Sequence, residues 1–326
     1  GVRPRIAETA RALWLIYLGL SAAAVLALRV AGMDWFDSLC HTMSMVSTGG
    51  LSTRDASIAH YDSAWIDGIC MVFMLLAGVN FSLFFAATRG RWKVLWKDEE
   101  LRVYLALKIV VIVIVTGNIL GLQIMTTTGQ VLDATIGQAL RYAGFQTIAL
   151  HTGTGFATSD YDQWPFLSRT LLIGLMFVGG CAGSTAGGIK VIRFWIVIKV
   201  IAGSLEKSFR PQVVRPLRIG RTSVDEEQKL GAMIYVVLFF VIGAIGAALI
   251  GLLEGQAGRN DFLTAMSASL STIGNIGPGL HAVGPTKTYA WFTDTSLGVM
   301  SMLMMLGRLE VYAVAVLILP RFWKGE

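Results

Sequence analysis

The sequence predicts an all-α polytopic membrane protein assembled from a repeated unit: membrane span, pore half-helix, filter loop, returning span. Three observations lead there. The 326 residues are 54% hydrophobic and only 15% charged, far from the balance of a soluble domain, and several apolar runs approach the length needed to cross a bilayer. The bases gather in alternate loops, as orientation in a membrane requires. Three Gly/Thr-rich stretches, Ser47 to Thr53, Ile148 to Thr158 and Ser271 to Gly279, each lie between two hydrophobic spans.

Arg3, Arg5 and Arg11 precede a first span over Leu13 to Val30, which is followed by Asp34 and Asp37 without a base, so the N-terminal side is cytoplasmic. Asp37 to Val46 is amphipathic and about three turns long, too short to cross, and reads as a re-entrant half-helix. Trp65 to Ala87 returns to the basic cluster Arg89, Arg91, Lys93, Lys97 and Arg102. The second unit repeats the order with Tyr104 to Met125, a half-helix over Thr135 to Ala149, and a broken return over Phe166 to Ile201. A cytoplasmic loop with Lys199, Lys207, Arg210, Arg215, Arg218, Arg221 and Lys229 follows. In the third unit Met233 to Leu253 crosses, Asp261 to Leu270 is the half-helix, and Trp291 to Leu319 returns to Arg321 and Lys324, leaving both ends of the sequence inside. The domains are then 1–100, 101–228 and 229–326. No cleavable signal segment is expected, and the first residue is Gly1 rather than Met, so a longer parent chain is expected.

The opposite loops carry Asp34, Asp37, Asp55, Asp62, Asp133, Asp160, Asp162, Asp261 and Asp294, a mildly cation-attracting mouth. Trp35, Trp65, Trp164 and Trp291 fall at that boundary and Trp92, Trp96 and Trp323 at the inner one, as in an aromatic belt. Cys40, Cys70 and Cys181 have no metal or redox spacing and read as small core residues. His41, His60, His151 and His281 read as polar lining or surface residues. With no nucleophile, paired-carboxylate or metal constellation apparent, an enzyme is not expected, nor is an organic cofactor, and the net charge of +6 reflects topology, not nucleic acid.

Irregular backbone inside a membrane survives only where protein buries it or where it lines a wet cavity. A half-helix entering from outside aims its negative C-terminal pole at the membrane centre, which favours a cation. Extended residues beyond it can offer carbonyls in place of a hydration shell, and glycine permits the backbone this needs. The expected donors are Thr48, Gly49 and Gly50, then Gly153, Thr154 and Gly155, then Asn275, Ile276 and Gly277. A divalent-cation site is not expected, because no carboxylate lies in these stretches.

Gly179 to Gly188 interrupts the second return span with five glycines in ten residues, which no helix interior tolerates at ~1 kcal/mol per Gly. Its likeness to a phosphate-binding loop fails, since Ile189 separates Gly188 from Lys190 and no strand precedes it. Close packing through small residues is the plain alternative; a flexible loop that obstructs the pore is the functional one. Arg308 lies within a hydrophobic run and needs an acceptor, because Glu310 points to another face. Free carbonyls of the 179–188 loop suit it; snorkelling to the inner surface is the alternative.

The motifs Ser-Thr-Gly-Gly-Leu, His-Thr-Gly-Thr-Gly-Phe and Gly-Asn-Ile-Gly-Pro-Gly, each in a span, half-helix, filter, span unit, resemble the Trk/Ktr/HKT superfamily of potassium transporters, and within it the bacterial TrkH-type uptake subunit. The resemblance covers essentially the whole sequence and matches repeats two, three and four of four. It implies a pseudo-fourfold pore for potassium uptake across the bacterial inner membrane, with potassium as cargo. The gate would be the intramembrane loop, with Gly179, Gly180, Gly183, Gly187 and Gly188, closed with the help of Arg308. It also implies a homodimer and a cytosolic nucleotide-binding regulatory ring docked on Lys199 to Lys229. The rival from the residues is an alternating-access secondary cation transporter, which predicts inverted repeats.

Overall fold

The computed structural model describes residues 2–212, 216–220, 222–256 and 261–309. The architecture is all-α, with two small two-stranded hairpins. The first unit runs from α1 (Val2–Val30) through the half-helix α2 (Trp35–Val46) to α3 (Ala64–Ala77), α4 (Phe81–Thr88) and the short α5 (Lys93–Lys97). Local chemistry sets the start of α2: the Asp34 carboxylate caps it by accepting from the Asp37 amide at 2.7 Å.

The return of this unit is not the continuous span expected over Trp65 to Ala87. Helices α3 and α4 meet at 93°. Asn80 caps α4 through the Ser82 amide at 2.9 Å, and Gly78 sits where any side chain would collide with the Tyr104 hydroxyl. The break frees the carbonyls of Ala77 and Gly78 for use elsewhere.

In the second unit, α6 (Glu99–Ile119) ends earlier than the expected Met125, because the chain turns through left-handed Gly121 into an antiparallel hairpin of β1 (Gln123–Met125) and β2 (Val131–Asp133). The half-helix α7 (Ile136–His151) opens with a reciprocal capping box between Thr135 and Gln138. The return is broken as expected, into α8 (Phe166–Phe177) and α9 (Val191–Phe209).

A hairpin of β3 (Arg218–Ile219) and β4 (Thr222–Ser223) leads into the third unit: α10 (Glu226–Gln256), the half-helix α11 (Phe262–Gly274) capped by Asp261, and α12 (Asp294–Arg308). Arg215, Arg221, Glu310, Arg321, Trp323 and Lys324, named above, lie outside the described residues.

Among the described residues, α1, α6 and α10 contain single segments long and apolar enough to cross a membrane, and the bent pair α3–α4 qualifies if taken as one span. They expose apolar faces, for example Leu15 and Leu18 on α1, Val110 and Val113 on α6, and Val237 and Leu252 on α10, as lipid-facing helices do. The C-terminal parts of the half-helices are instead enclosed. In α7 every residue from Tyr142 to His151 is buried, including Gln146, Thr147 and His151, so no amphipathic period survives. Two tryptophans behave unlike an aromatic belt: Trp164 is 3% exposed and Trp291 stacks on Phe292. Trp35, Trp65, Trp92 and Trp96 are exposed, as a belt requires.

Candidate ion-conduction site

The three half-helices end in the same way. Each is followed by a left-handed residue, Thr48 (φ 56°), Gly153 (φ 69°) or Asn275 (φ 54°). The next amide then reaches back five residues: Gly49 to the Ser44 carbonyl, Thr154 to Ala149 and Ile276 to Ser271, at 2.7, 2.9 and 2.9 Å. This is the pairing of a Schellman helix end. The third residue of each triplet, Gly50 (φ 69°), Gly155 (φ 76°) or Gly277 (φ 105°), is again at positive φ. Alternating backbone handedness turns successive carbonyls toward one side of the chain, whereas in a β-strand they alternate.

The first two amides of each triplet are thus consumed by the helix ends while most of the carbonyls are left over. Among the described residues, none donates a hydrogen bond to the carbonyls of Thr48, Gly49, Gly50, Gly153, Thr154, Gly155, Asn275 or Ile276. Gly277 differs from its expected role as a free donor: its carbonyl accepts from the hydroxyls of Ser271 and Tyr289, both at 2.7 Å.

The loops also pack in order. A Cβ on Gly50 would overlap the Thr154 carbonyl, and one on Gly155 the Ile276 carbonyl, whereas the same position on Gly277 faces open space. One flank of the arrangement is therefore unfilled by the described residues.

The segment between α8 and α9 lies against the ends of the half-helices. Val178 and Ile189 pair as a short parallel bridge, closing the loop at its base. Cys181 donates its amide to the Gly78 carbonyl at 2.9 Å, and the Thr185 hydroxyl donates to the Val46 carbonyl at 2.9 Å. The Thr48 hydroxyl lies 3.0 Å from the Thr185 carbonyl. The break in the first return thus supplies acceptors to the loop in the second. Gly179, Gly180 and Gly187 are sites of close approach, where a Cβ would meet backbone of Gly187, Gly78 and Gly274 respectively; Gly183 and Gly188 carry positive φ.

Among the described residues, Arg308 makes no hydrogen bond to that loop. Its Nη2 donates to the Ser47 carbonyl at 3.2 Å, so the last turn of α12 reaches the end of α2. The acceptor is a leftover carbonyl of a helix terminus, from a different element than expected.

Behind each loop a side chain of the half-helix holds the chain that leaves it. His41 Nε2 lies 2.8 Å from the Ser52 hydroxyl. The Gln146 amide, oriented to satisfy its neighbours, accepts from the amides of Thr158 and Ser159 at 2.8 and 3.1 Å. Ser267 Oγ accepts from the Leu280 amide at 3.1 Å. Asp37, 2% exposed, adds a carboxylate that accepts from the Thr53 hydroxyl at 2.6 Å, the Tyr61 hydroxyl at 2.5 Å and Arg54 Nη2 at 2.8 Å. Burial alone would raise its pKa, but the hydrogen bonds from Thr53, Tyr61 and Arg54 outweigh burial and hold it well below the usual carboxylate range. Burial lowers the pKa of His41.

His41 and His151 are therefore not surface residues. His151 is fully buried and its Nδ1 lies 2.9 Å from Lys108 Nζ, which stands 3.1 Å from the Tyr104 ring centroid. Lys108 escaped sequence reasoning, although a lone lysine inside the predicted span Tyr104 to Met125 was a readable signal; in α6 as it stands it is central. Replacing Gln146 by Leu strands two buried amides, so stability should fall by ~1–3 kcal/mol, read as a lower Tm of the reconstituted protein.

Comparison with known proteins adds identity to this geometry. A family model described as TrkH, cation transport protein, matches residues 2–324. The chain is 35% identical over 327 residues to the Trk system potassium uptake protein TrkH of Salmonella typhimurium, and 38% identical over 326 residues to that of Halomonas elongata. These alignments cover 99% and 98% of the chain and 64% of each relative, so the chain spans just under two thirds of the curated relatives' length. The crystal structure of the potassium transporter TrkH from Vibrio parahaemolyticus superimposes with a TM-score of 0.85 at 35% identity, over 98% of this chain and 66% of that one. The chain belongs to the TrkH family of cation transport proteins.

Proposed function

We propose that the three Gly/Thr loops are three of the four walls of a potassium-selective filter, each wall carried by one of the units 1–100, 101–228 and 229–326, and that the protein mediates potassium uptake across the bacterial cytoplasmic membrane. The observation that carries this reading is the shared helix end: three half-helices whose next two amides are satisfied and whose following carbonyls, all but that of Gly277, accept no hydrogen bond from the described residues. Such carbonyls are the donors that can replace a potassium hydration shell. The open flank beside Gly277, together with the greater length of the relatives, supports a fourth wall supplied from outside residues 1–326.

In this reading the 178–190 segment is the gate, because it lies against the ends of α2 and α11 as irregular backbone, held by separate hydrogen bonds to α2, to the α3–α4 break and to α6 rather than by a helix ladder. Arg308 stabilises the closed arrangement by tying α12 to the Ser47 carbonyl. Inward flow follows the electrochemical gradient, with ~2.3 kcal/mol per charge per 100 mV of inside-negative potential. A homodimer, and a cytosolic nucleotide-binding ring docked on the basic face from Lys199 to Lys229, complete the proposal, with both ends of the chain cytoplasmic.

The test is uptake of potassium, rubidium and sodium by liposomes containing the whole protein. Selective uptake of potassium and rubidium is expected. Equal uptake of all three, or none under an imposed inside-negative potential, would overturn the filter assignment. Within the same assay, Arg308→Ala should raise basal rubidium uptake without changing the rubidium-to-sodium ratio; a changed ratio would move Arg308 from the gate to the filter.

A further inference from the structure

Two adjacent carboxylates open α6 and hold different parts of the molecule. Glu100, 7% exposed, accepts from the Ala182 amide at 2.7 Å and from the Ile192 amide at 3.1 Å. Its two donors flank the middle of the intramembrane segment, one early in the loop and one at the start of α9. A single carboxylate therefore clamps both feet of the arch between them. Bonds from amides to a charged acceptor are about twice as strong as neutral ones, and the loop's ties to the carbonyls of Ala77, Gly78 and Val46 are neutral.

Glu99 faces the other way, since successive residues of a helix are turned by about 100°. It accepts from Lys199 Nζ and, at 2.7 Å, from Trp195 Nε1, both on α9, and from the Gly220 amide in the turn between β3 and β4. Lys199 in turn donates to the Arg218 carbonyl at 2.6 Å. The cytoplasmic hairpin and the intramembrane loop are thus held by neighbouring residues on one rigid turn of helix.

We propose that Glu99 and Glu100 form a mechanical relay, in which displacement of the β3–β4 hairpin or the cytoplasmic end of α9 shifts the first turn of α6, withdraws Glu100 from the Ala182 and Ile192 amides, and releases the loop. Both are positioning residues. The inference rests on the reading of the 178–190 segment as the gate. A purely structural Glu100 would stiffen the fold without tying the state of the loop to that of the hairpin.

Cys181, fully buried and adjacent to Ala182, gives a direct readout of the loop that does not depend on conduction. In the whole protein with Cys40→Ser and Cys70→Ser, the rate of Cys181 modification by a thiol reagent added to liposomes is measured beside rubidium and sodium uptake. Glu100→Ala is expected to accelerate modification about tenfold and to raise basal rubidium uptake several-fold at an unchanged rubidium-to-sodium ratio, with Glu100→Gln intermediate. Glu99→Gln should change both quantities in the same direction, and the double variant should not exceed Glu100→Ala alone. Unchanged Cys181 reactivity in a Glu100→Ala protein of normal Tm would overturn the relay, as would additive effects of the two substitutions. Absence of selective uptake in the unsubstituted protein would count against the filter reading instead, leaving the Cys181 comparison to judge the clamp.

Discussion

Gly155→Ser is expected to abolish the preference for potassium over sodium. At a φ of 76° a side chain costs ~1–2 kcal/mol, and ~1.4 kcal/mol is already tenfold in an equilibrium ratio. The steric problem is larger: the new Cβ would overlap the Ile276 carbonyl oxygen and stand 3.0 Å from Pro278 Cδ. Neither neighbour is the far end of a flexible side chain, so relief requires moving one wall of the filter. Carbonyl coordination discriminates between ions through the number and placement of its oxygens, so displaced walls lose selectivity before they lose conduction. Gly144→Ala is the matched control. It lies within α7, where its Cβ meets only Met71 Sδ at 3.5 Å, an ordinary contact, and Ala favours helix over Gly by ~0.5–1 kcal/mol. Liposome uptake should show a collapsed potassium-to-sodium ratio for Gly155→Ser and an unaltered one for Gly144→Ala. Retained selectivity in Gly155→Ser would remove the second loop from the filter.

Asp37→Asn is expected to destabilise the first loop and to flatten the acid limb of stability. The carboxylate accepts from three side chains, and an amide at the same place presents an N–H group to at least one of those donors. Removing such a partner costs ~1–3 kcal/mol, toward the lower end here because Arg54 is 41% exposed and can turn to water. The sign of the pH effect follows from the lowered pKa of Asp37. The folded state binds its proton less readily than the unfolded state, so the carboxylate contributes its full stability above the ordinary carboxylate pKa. That contribution is lost as pH falls through the ordinary range toward the depressed folded value. Thermal unfolding followed from about pH 6 to about pH 3, a range spanning the ordinary carboxylate pKa, should show a falling Tm for the parent and a shallower slope for Asp37→Asn. Equal slopes would mean that Asp37 is not a source of the acid sensitivity.

The half-helices were legible in the sequence to within a few residues because their ends are local events. Asp34, Thr135 and Asp261 cap the helix that follows each of them through amides three residues on, and the Gly/Thr runs stop the helices without help from elsewhere. The glycine-bearing turns that end the half-helices were legible for the same reason, since a left-handed residue after a helix and an amide reaching back five positions are near-neighbour geometry. The kink between α3 and α4 was hidden. Gly78-Val79-Asn80 is a short interruption in an apolar run, and what bends it lies on other elements: the Tyr104 hydroxyl on α6 and the 181–185 loop that takes up the freed carbonyls.

Sequence by itself determined the class of the protein, the order of its spans and half-helices, the loops that offer carbonyls and the loop that interrupts a span. Hydropathy, capping and backbone handedness act over one to five residues, so a linear reading captures them. Tertiary structure alone decided that Arg308 meets Ser47 and not the glycine loop, that the Gly277 carbonyl is already occupied, that His151 faces Lys108, and that Glu100 clamps the loop from 82 residues away in sequence. Each of these depends on how whole helices cross, and crossing angles follow from the summed packing of many side chains rather than from any stretch of chain read alone.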